Sequence, residues 1–243
     1  MTTETKTQKR RVWPWILTVV IVLALAAAIL AAATLLLRDE TTEEATFDMS
    51  TVTEIRTVVE AGTVEIETED RSDIRVVTVL TSSPGSDPQS EITLEDGILS
   101  MEAQCRSFLI SICQVAYRVT MPTDLEVVMD LETTAGNVDL SDVSGKVAVR
   151  TTAGTINVRR HMGEEADLRT TAGNVSFEAS TPPTRLTVET TAGAITVWVP
   201  DVGYRIEAQT TVGSVNVNLD EVPDAQRSIE ASTTTGNIEL APG

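Results

Sequence analysis

Apolar and polar residues alternate along the second half of the chain, around a recurring Thr-Thr-Ala-Gly motif. The motif varies slightly, and its glycines are spaced by 18, 19, 20, 20 and 23 residues. These glycines are Gly136, Gly154, Gly173, Gly193, Gly213 and Gly236. Period-two alternation predicts β-strands with one buried face. A repeat of about 20 residues is typical of a solenoid, in which each repeat forms one coil that stacks on its neighbour.

The repeats show which positions face the interior once they are aligned on their glycines. The second residue after each glycine is β-branched, the fourth is apolar, and the third is polar. The second-position residues are Val138, Ile156, Val175, Ile195, Val215 and Ile238. The fifth and seventh residues before each glycine are also apolar. Each coil is therefore predicted to be a strand, a tight corner at the glycine and a second strand.

The glycine corner is predicted to require a positive φ or a close approach of the backbone. The Thr-Ala pair before the glycine is expected to fit inside a narrow corner. Six coils at about 4.8 Å would form a rod about 29 Å long. The alternative is a series of antiparallel hairpins in a sandwich or barrel, since Thr-Ala-Gly-Asn can also form a hairpin turn. Identical residues in identical columns favour stacking, and we expect an all-β solenoid.

The N-terminal part predicts a membrane anchor. Residues 1–15 form a basic tail with Lys6, Lys9, Arg10 and Arg11, and residues 16–37 form an apolar run long enough for a transmembrane helix. The basic tail places the N-terminus in the cytoplasm and the bulk of the chain outside. A cleaved signal peptide is the alternative, since Ala26-Ala27-Ala28 could offer a cleavage site, but the apolar run exceeds a signal core.

The remaining chain is expected to form an acidic tether at 38–48 and one solenoid domain at 49–241. Its first part, 49–124, is irregular, and 125–241 holds the regular repeats. A degenerate coil is predicted around Gly62. Strands are predicted at Ile74–Leu80, Ile92–Leu94 and Ile98–Met101.

Charge is distributed unevenly between the tail and the rest of the chain. The whole chain has 18 basic and 36 acidic residues. Without the four basic and one acidic residue of the tail, 14 basic and 35 acidic residues remain, a net charge of −21. Such a domain should repel nucleic acid. The simplest role of this negative charge is to keep the domain soluble, although it could also attract cations or basic partners.

Cys105 and Cys113 are the two cysteines of the chain, and both lie on the predicted outer side. A pair outside the cytoplasm commonly oxidises, so we predict a structural disulfide. A metal site would need further ligands, and His161 is the single histidine. It is expected to be a solvated residue of a connection.

No catalytic motif accompanies the repeats. Asp139 and Glu239 are the carboxylates of the polar column after glycine, and five coil steps would separate them by about 24 Å, too far for a glycosidase pair. Glu132 with Arg150, and Arg169 with Glu189, are expected to form cross-strand ion pairs. Calcium binding would depend on Asp139 and Asp142. We therefore predict no enzyme activity, no cofactor and no catalytic or metal-ligating residues.

The chain resembles the bacterial "putative-adhesin" domain family, a β-solenoid domain of unknown function found in LiaG-like envelope proteins. The resemblance covers roughly residues 50–241. It is carried by the N-terminal span, the segment Leu94–Met101, the strand Ala116–Pro122 and the Thr-Thr-x-Gly-x-Val-x-Val repeats. The resemblance implies an envelope location and supplies no catalytic residues.

These observations predict a single-pass protein of the bacterial cell membrane with a non-enzymatic, adhesin-like binding or structural domain outside. Its partner would be a protein, a cell-wall polymer or a second copy, and not nucleic acid. The alternative is an envelope-stress regulator whose tail or span contacts a membrane sensor. A surface carbohydrate-active enzyme is the third and weakest reading.

Overall fold

The computed structural model describes residues 20–22, 24–25, 39–107, 112–123 and 125–243. Residues 20–22 and 24–25 are helical and exposed. The predicted tail 1–15 and the rest of the predicted span 16–37 lie outside the described residues. Among the residues that are described, no helix is long and apolar enough to cross a membrane.

The described part from Asp39 onward consists almost entirely of β-strands. The first nine strands are β1 (Asp39–Asp48), β2 (Glu54–Ala61), β3 (Val64–Glu69), β4 (Asp73–Ser82), β5 (Ser86–Glu95), β6 (Ile98–Ser107), β7 (Cys113–Pro122), β8 (Val128–Ala135) and β9 (Val138–Ser141). The last ten are β10 (Val147–Ala153), β11 (Ile156–His161), β12 (Glu165–Ala172), β13 (Val175–Ala179), β14 (Arg185–Ala192), β15 (Ile195–Val199), β16 (Arg205–Val212), β17 (Val215–Val217), β18 (Ser228–Thr235) and β19 (Ile238–Pro242). A short 3-10 helix, Met49–Thr51, follows β1.

The strands form two sheets with a core between them. Sheet A has ten strands in the order β1-β4-β7-β3-β9-β11-β13-β15-β19-β17. Sheet B has nine strands in the order β16-β18-β14-β12-β10-β8-β2-β6-β5. One strand from each sheet makes a coil, and coils run parallel to their neighbours: Val149 in β10 pairs with Leu131 in β8 and Leu168 in β12. The parallel pairing confirms the stacked coils and excludes consecutive hairpins in this region.

The coils do not stack in sequence order at the C-terminal end. The last coil, β18/β19, lies between β14/β15 and β16/β17. The expected sequential stack is therefore wrong at this point, and β16/β17 occupies the end of the rod. The connection from Val217 to Ser228 is long enough to let the chain pass the outermost coil and return inside it. The predicted coil around Gly62 is confirmed, and it also lies inside β6/β7.

Antiparallel strands cover the opposite, N-terminal end. β5 pairs with β6 in sheet B, β4 pairs with β7 in sheet A, and β1 pairs with β4. Residues 38–48 were predicted as a tether, but Asp39–Asp48 form this edge strand, a correction to the expected domain start. Their acidic and threonine side chains suit an edge strand that faces water, while Phe47 packs against the core.

The core is a continuous stack of the predicted apolar columns. Met129, Leu131, Val149, Leu168 and Leu186 are completely buried, as are their counterparts in sheet A. Burial of each such side chain contributes roughly 1.5–3 kcal/mol. Every strand and every buried core residue that the structure describes falls within 39–243, so a fragment with these bounds contains the whole described core.

Candidate binding surfaces

The six repeat glycines lie at corners where adjacent coils approach each other closely. A Cβ built on Gly154, Gly173 or Gly193 would lie 1.8–1.9 Å from the carbonyl oxygen of the glycine one coil away. Gly136, Gly213 and Gly236 face the same obstruction at 1.6–1.9 Å. Of these six glycines, Gly213 and Gly236 alone have a positive φ. Close approach is therefore the constraint common to all six corners, and positive φ is a local addition.

The first threonine supports the glycine corner from inside in most of the motifs, whereas Thr133 Oγ1 is buried without a hydrogen-bond partner. The Oγ1 atoms of Thr170, Thr190 and Thr233 donate hydrogen bonds of 3.1–3.2 Å to glycine carbonyls in the neighbouring coil. The second threonine and the alanine are exposed, as at Thr171 and Ala172. The expectation that the Thr-Ala pair fits inside the corner is wrong, because the chain already turns outward after the first threonine.

A disulfide closes the corner of the coil β6/β7. Cys105 and Cys113 are joined, with Cα atoms 5.7 Å apart, as predicted from their isolation. Glu60 accepts a hydrogen bond of 2.9 Å from the Cys105 N–H through its carboxylate. The sequence between its two strands contains no glycine motif. Closing a loop of this length stabilises the fold by about 2–3 kcal/mol.

His161 is completely buried, contrary to the expected solvated position. The register of β11 shifts between Val158 and His161, and Arg160 adopts a φ of 50°. This bulge turns Arg160 outward, where its Nε donates to Asp142 at 2.7 Å, and turns His161 into the core beside Phe177. Burial lowers the pKa of His161 to about 4. A neutral core histidine is the result.

The buried ring of His161 makes no hydrogen bond of normal geometry. Its two nitrogens lie beside the backbone of Val143 and Glu165 but remain unpaired. A buried polar group without a partner destabilises the fold, and a charged one does so far more. The imidazole therefore acts as a point of acid sensitivity within the coil stack.

The carboxylates considered for catalysis stay apart. Asp139 and Glu239 are separated by four coil steps, not five, because β19 pairs directly with β15. That distance is about 19 Å, still beyond the range of a glycosidase pair. Asp139 accepts a hydrogen bond from Asn157 at 3.1 Å, and Asp142 is paired with Arg160. Among the described residues, no group of three or more potential metal ligands converges.

The outer face of sheet B carries a network of ion pairs. Arg169 bonds Asp167 at 2.7 Å and Glu189 at 2.6 Å, which confirms the expected Arg169–Glu189 pair. Arg150 bonds Asp130 at 3.0 Å, not Glu132, although Glu132 lies opposite it in register. Lys146 donates to Glu165 and lowers the pKa of that carboxyl. These cations are neutralised within the face, so the network stabilises strand pairing more than it offers charge to a ligand.

The outer face of sheet A differs, because it combines an indole with small polar side chains. Trp198 in β15 is 37% exposed and is the one exposed aromatic side chain in the described part of the chain. Its register neighbours are Glu178 in β13 and Ala241 in β19. The adjacent outward column consists of Asn157, Ser176, Thr196, Glu239 and Asn216. We call this surface the Trp198 face.

Two facing sheets built from parallel, stacked coils define the class as a solenoid-like β protein. Residues 120–240, about half of the chain, match the family described as Toastrack DUF4097. The chain therefore carries a domain of the Toastrack DUF4097 family, a domain of unknown function.

Two solved structures are similar in fold. One is titled a putative cell adhesion protein from Clostridium sporogenes, with 13% identity, a TM-score of 0.49, and coverage of 84% of this chain and 100% of the other. The second is titled a putative adhesin from Bacteroides fragilis, with 14% identity, a TM-score of 0.45, and coverage of 83% and 97%. No curated protein matches the chain.

Proposed function

We propose that the chain is a non-enzymatic envelope protein whose solenoid binds a polar polymer along the Trp198 face. The observation that carries the proposal is the exposed indole on sheet A, between hydroxyl, amide and carboxylate side chains. Leaving an indole in water forgoes the free energy of its burial, which a ligand can recover. Sugar rings have apolar faces and polar edges, and both match this surface. A cell-wall polysaccharide is the ligand class that fits best.

The proposal also includes the N-terminal anchor. It is supported by the apolar run 16–37 with basic residues before it and acidic residues after it. In this arrangement the solenoid stands outside the membrane, where wall polymers are found. The coil stack supplies the binding face, and Asp139 and Glu239, the two carboxylates of the polar column after glycine, are too far apart to act as a glycosidase pair.

Replacement of Trp198 by alanine should weaken binding of isolated wall polysaccharide at least tenfold, because the stacking surface is lost. Trp198 is the single tryptophan of the 39–243 fragment, so its fluorescence reports binding to the wild-type fragment directly. Co-sedimentation with the insoluble polymer compares the variants. Val128→Ala removes an exposed apolar side chain from sheet B and should leave binding unchanged. Equal binding by Trp198→Ala and the wild type would contradict the proposal.

Protease added to intact cells should remove residues 38–243 and leave the N-terminal tail in the membrane fraction. The tail is basic, and positive charge is retained on the cytoplasmic side. Tags at both termini, followed by immunoblotting, distinguish the fragments. Permeabilised cells provide the control, since both tags are then accessible. Protection of the large fragment in intact cells would overturn the orientation, and a mature N-terminus near Arg38 would show a cleaved signal.

A further inference from the structure

The two ends of the coil stack are finished differently. At the N-terminal end, antiparallel β1, β4 and β5 cover the last parallel coil. Tyr117 ties that end together: its hydroxyl bonds Ser90 at 2.7 Å and the Glu102 carbonyl at 2.8 Å. At the other end, β16 and β17 are the outermost strands of their sheets. Within the described residues no further strand pairs with them, and a single bridge between Tyr204 and Glu221 covers the chain just before β16.

The coil β16/β17 leaves interior positions exposed to solvent. Val215 is 40% exposed, whereas Ile238 and Ile195, which occupy the same column in the next coils, are buried. Val212, in the outward-facing alanine position of the motif, adds a further apolar side chain that is 61% exposed. We call this surface, formed by β16 and β17, the open end. Terminal coils of repeat proteins normally carry a polar cap, because an uncapped stack exposes its core.

The open end also presents unpaired backbone groups. Arg205 donates its N–H to the Arg227 carbonyl at 2.9 Å on the inner side. Backbone groups of a strand alternate in direction, so those of Ile206, Ala208 and Thr210 point away from the stack. Two such edges face outward together, about 10 Å apart, with apolar side chains between them. A row of this kind is a template for strand addition.

We propose that the open end binds the open end of a second copy of this chain, in a two-fold symmetric dimer. A single added strand could pair with only one of the two edges and would leave the interior exposed. A second copy supplies two edges at the same spacing. A two-fold axis perpendicular to the sheets makes β16 antiparallel to its counterpart, and β17 likewise, as an isologous interface requires. The proposal depends neither on the anchor nor on Trp198.

The side chains of β16 are self-complementary in this arrangement. With Ala208 opposite Ala208, Ile206, Ala208 and Thr210 form hydrogen-bonded pairs. The overlap ends before Tyr204, whose outward backbone groups are bonded to Asp220 and Val222. Glu207 then lies opposite Gln209 of the second copy, on both sides of the axis. In this register no charged side chain of β16 lies opposite one of the same sign in the second copy. If the pairing were instead centred on Glu207, the two Glu207 carboxylates would lie opposite each other and repel.

The affinity of the proposed dimer should depend on the salt concentration. Each copy of the described domain is strongly acidic, so the two bodies repel each other at long range. The contact itself is apolar and backbone-mediated. Raising the ionic strength screens the repulsion and should strengthen the dimer.

Sedimentation velocity on the 39–243 fragment should show a concentration-dependent monomer–dimer equilibrium in the micromolar range. Val215→Lys should shift it to monomer, because each lysine would place a charge within the apolar contact between the copies, and folding should be retained since Val215 is already 40% exposed. Val128→Lys makes the same change at a site 44% exposed on sheet B and should leave the dimer intact. A wild-type fragment that stays monomeric at high concentration and high salt would overturn the proposal, as would equal effects of the two variants.

Cysteine pairing tests the register itself. The two native cysteines are joined to each other, so an introduced cysteine is a unique thiol. Under mild oxidation, a mixture of Glu207→Cys and Gln209→Cys fragments should form a disulfide-linked dimer, since these positions face each other across the axis. Each variant alone should cross-link at least tenfold less. Cross-linking of either variant alone as strongly as the mixture would rule out the Ala208-centred dimer.

Discussion

Gly173→Ala is expected to lower the free energy of unfolding by about 3 kcal/mol or more, the upper range for overpacking and backbone strain. The added Cβ would lie 1.9 Å from the Gly154 carbonyl oxygen, which is backbone and cannot move independently of its coil. That carbonyl also accepts the hydrogen bond of the Thr170 hydroxyl. The clash therefore forces neighbouring coils apart and disturbs the buried threonine support at the same corner.

Ser176→Ala is the matched control for this glycine, since Ser176 lies three residues later on the outer face of β13. It should change stability by less than about 0.5 kcal/mol, as is usual for surface positions. Urea unfolding of the 39–243 fragment, followed by circular dichroism, measures both. If both variants unfold at the wild-type midpoint, the corner does not depend on close approach, and the account of the glycine column fails.

Acidification should destabilise the wild-type domain through His161 in the window between pH 6.5 and about pH 4. In the folded state, burial lowers the pKa of His161 to about 4, below the unfolded value of about 6.5. The unfolded chain therefore binds the proton first, and stability falls as the pH decreases through this window. The full contribution is about 3 kcal/mol. It is fully present above pH 6.5.

His161→Leu should remove this part of the pH dependence, because leucine fills a similar volume and does not titrate. The difference between the unfolding free energies of wild type and variant should shift in favour of the variant by about 3 kcal/mol from pH 7 to pH 4. Taking the difference removes the contribution of the many carboxylates. A constant difference across this range would show that His161 has the same pKa in the folded and unfolded chains, as a solvated imidazole would.

The repeating part of the fold could be predicted because each column depends on local alternation. The strand–glycine–strand coil, the degenerate coil around Gly62 and the disulfide follow from residue types and spacing alone. His161 could not be placed, since strict alternation from Ile156 and Val158 points Arg160 inward. A bulge with a positive φ at Arg160 reverses this, and the ion pair with Asp142 accompanies it.

The order of the coils could not be predicted, because the columns of β16/β17 and β18/β19 are nearly interchangeable. Ile206 and Ile229 fit the same position, as do Val215 and Ile238. The longest glycine spacing, 23 residues, was the only sequence signal of the longer connection. The Trp198 face could have been predicted, since Trp198 is the fifth residue after Gly193 and period-two alternation places it outward together with the polar third residue, Thr196.

The inserted position of β18/β19 sets the order in which the chain can mature. The chain is synthesised from its N-terminus, so β16/β17 can dock on β14/β15 before residues 228–242 have been made. The interior apolar positions of β16/β17 match those of β18/β19, which makes this contact possible. That provisional contact must open to admit the last coil, so a nascent chain halted before β18 would hold a non-native neighbour pairing. Completion of the rod thus waits for release of the C-terminal segment.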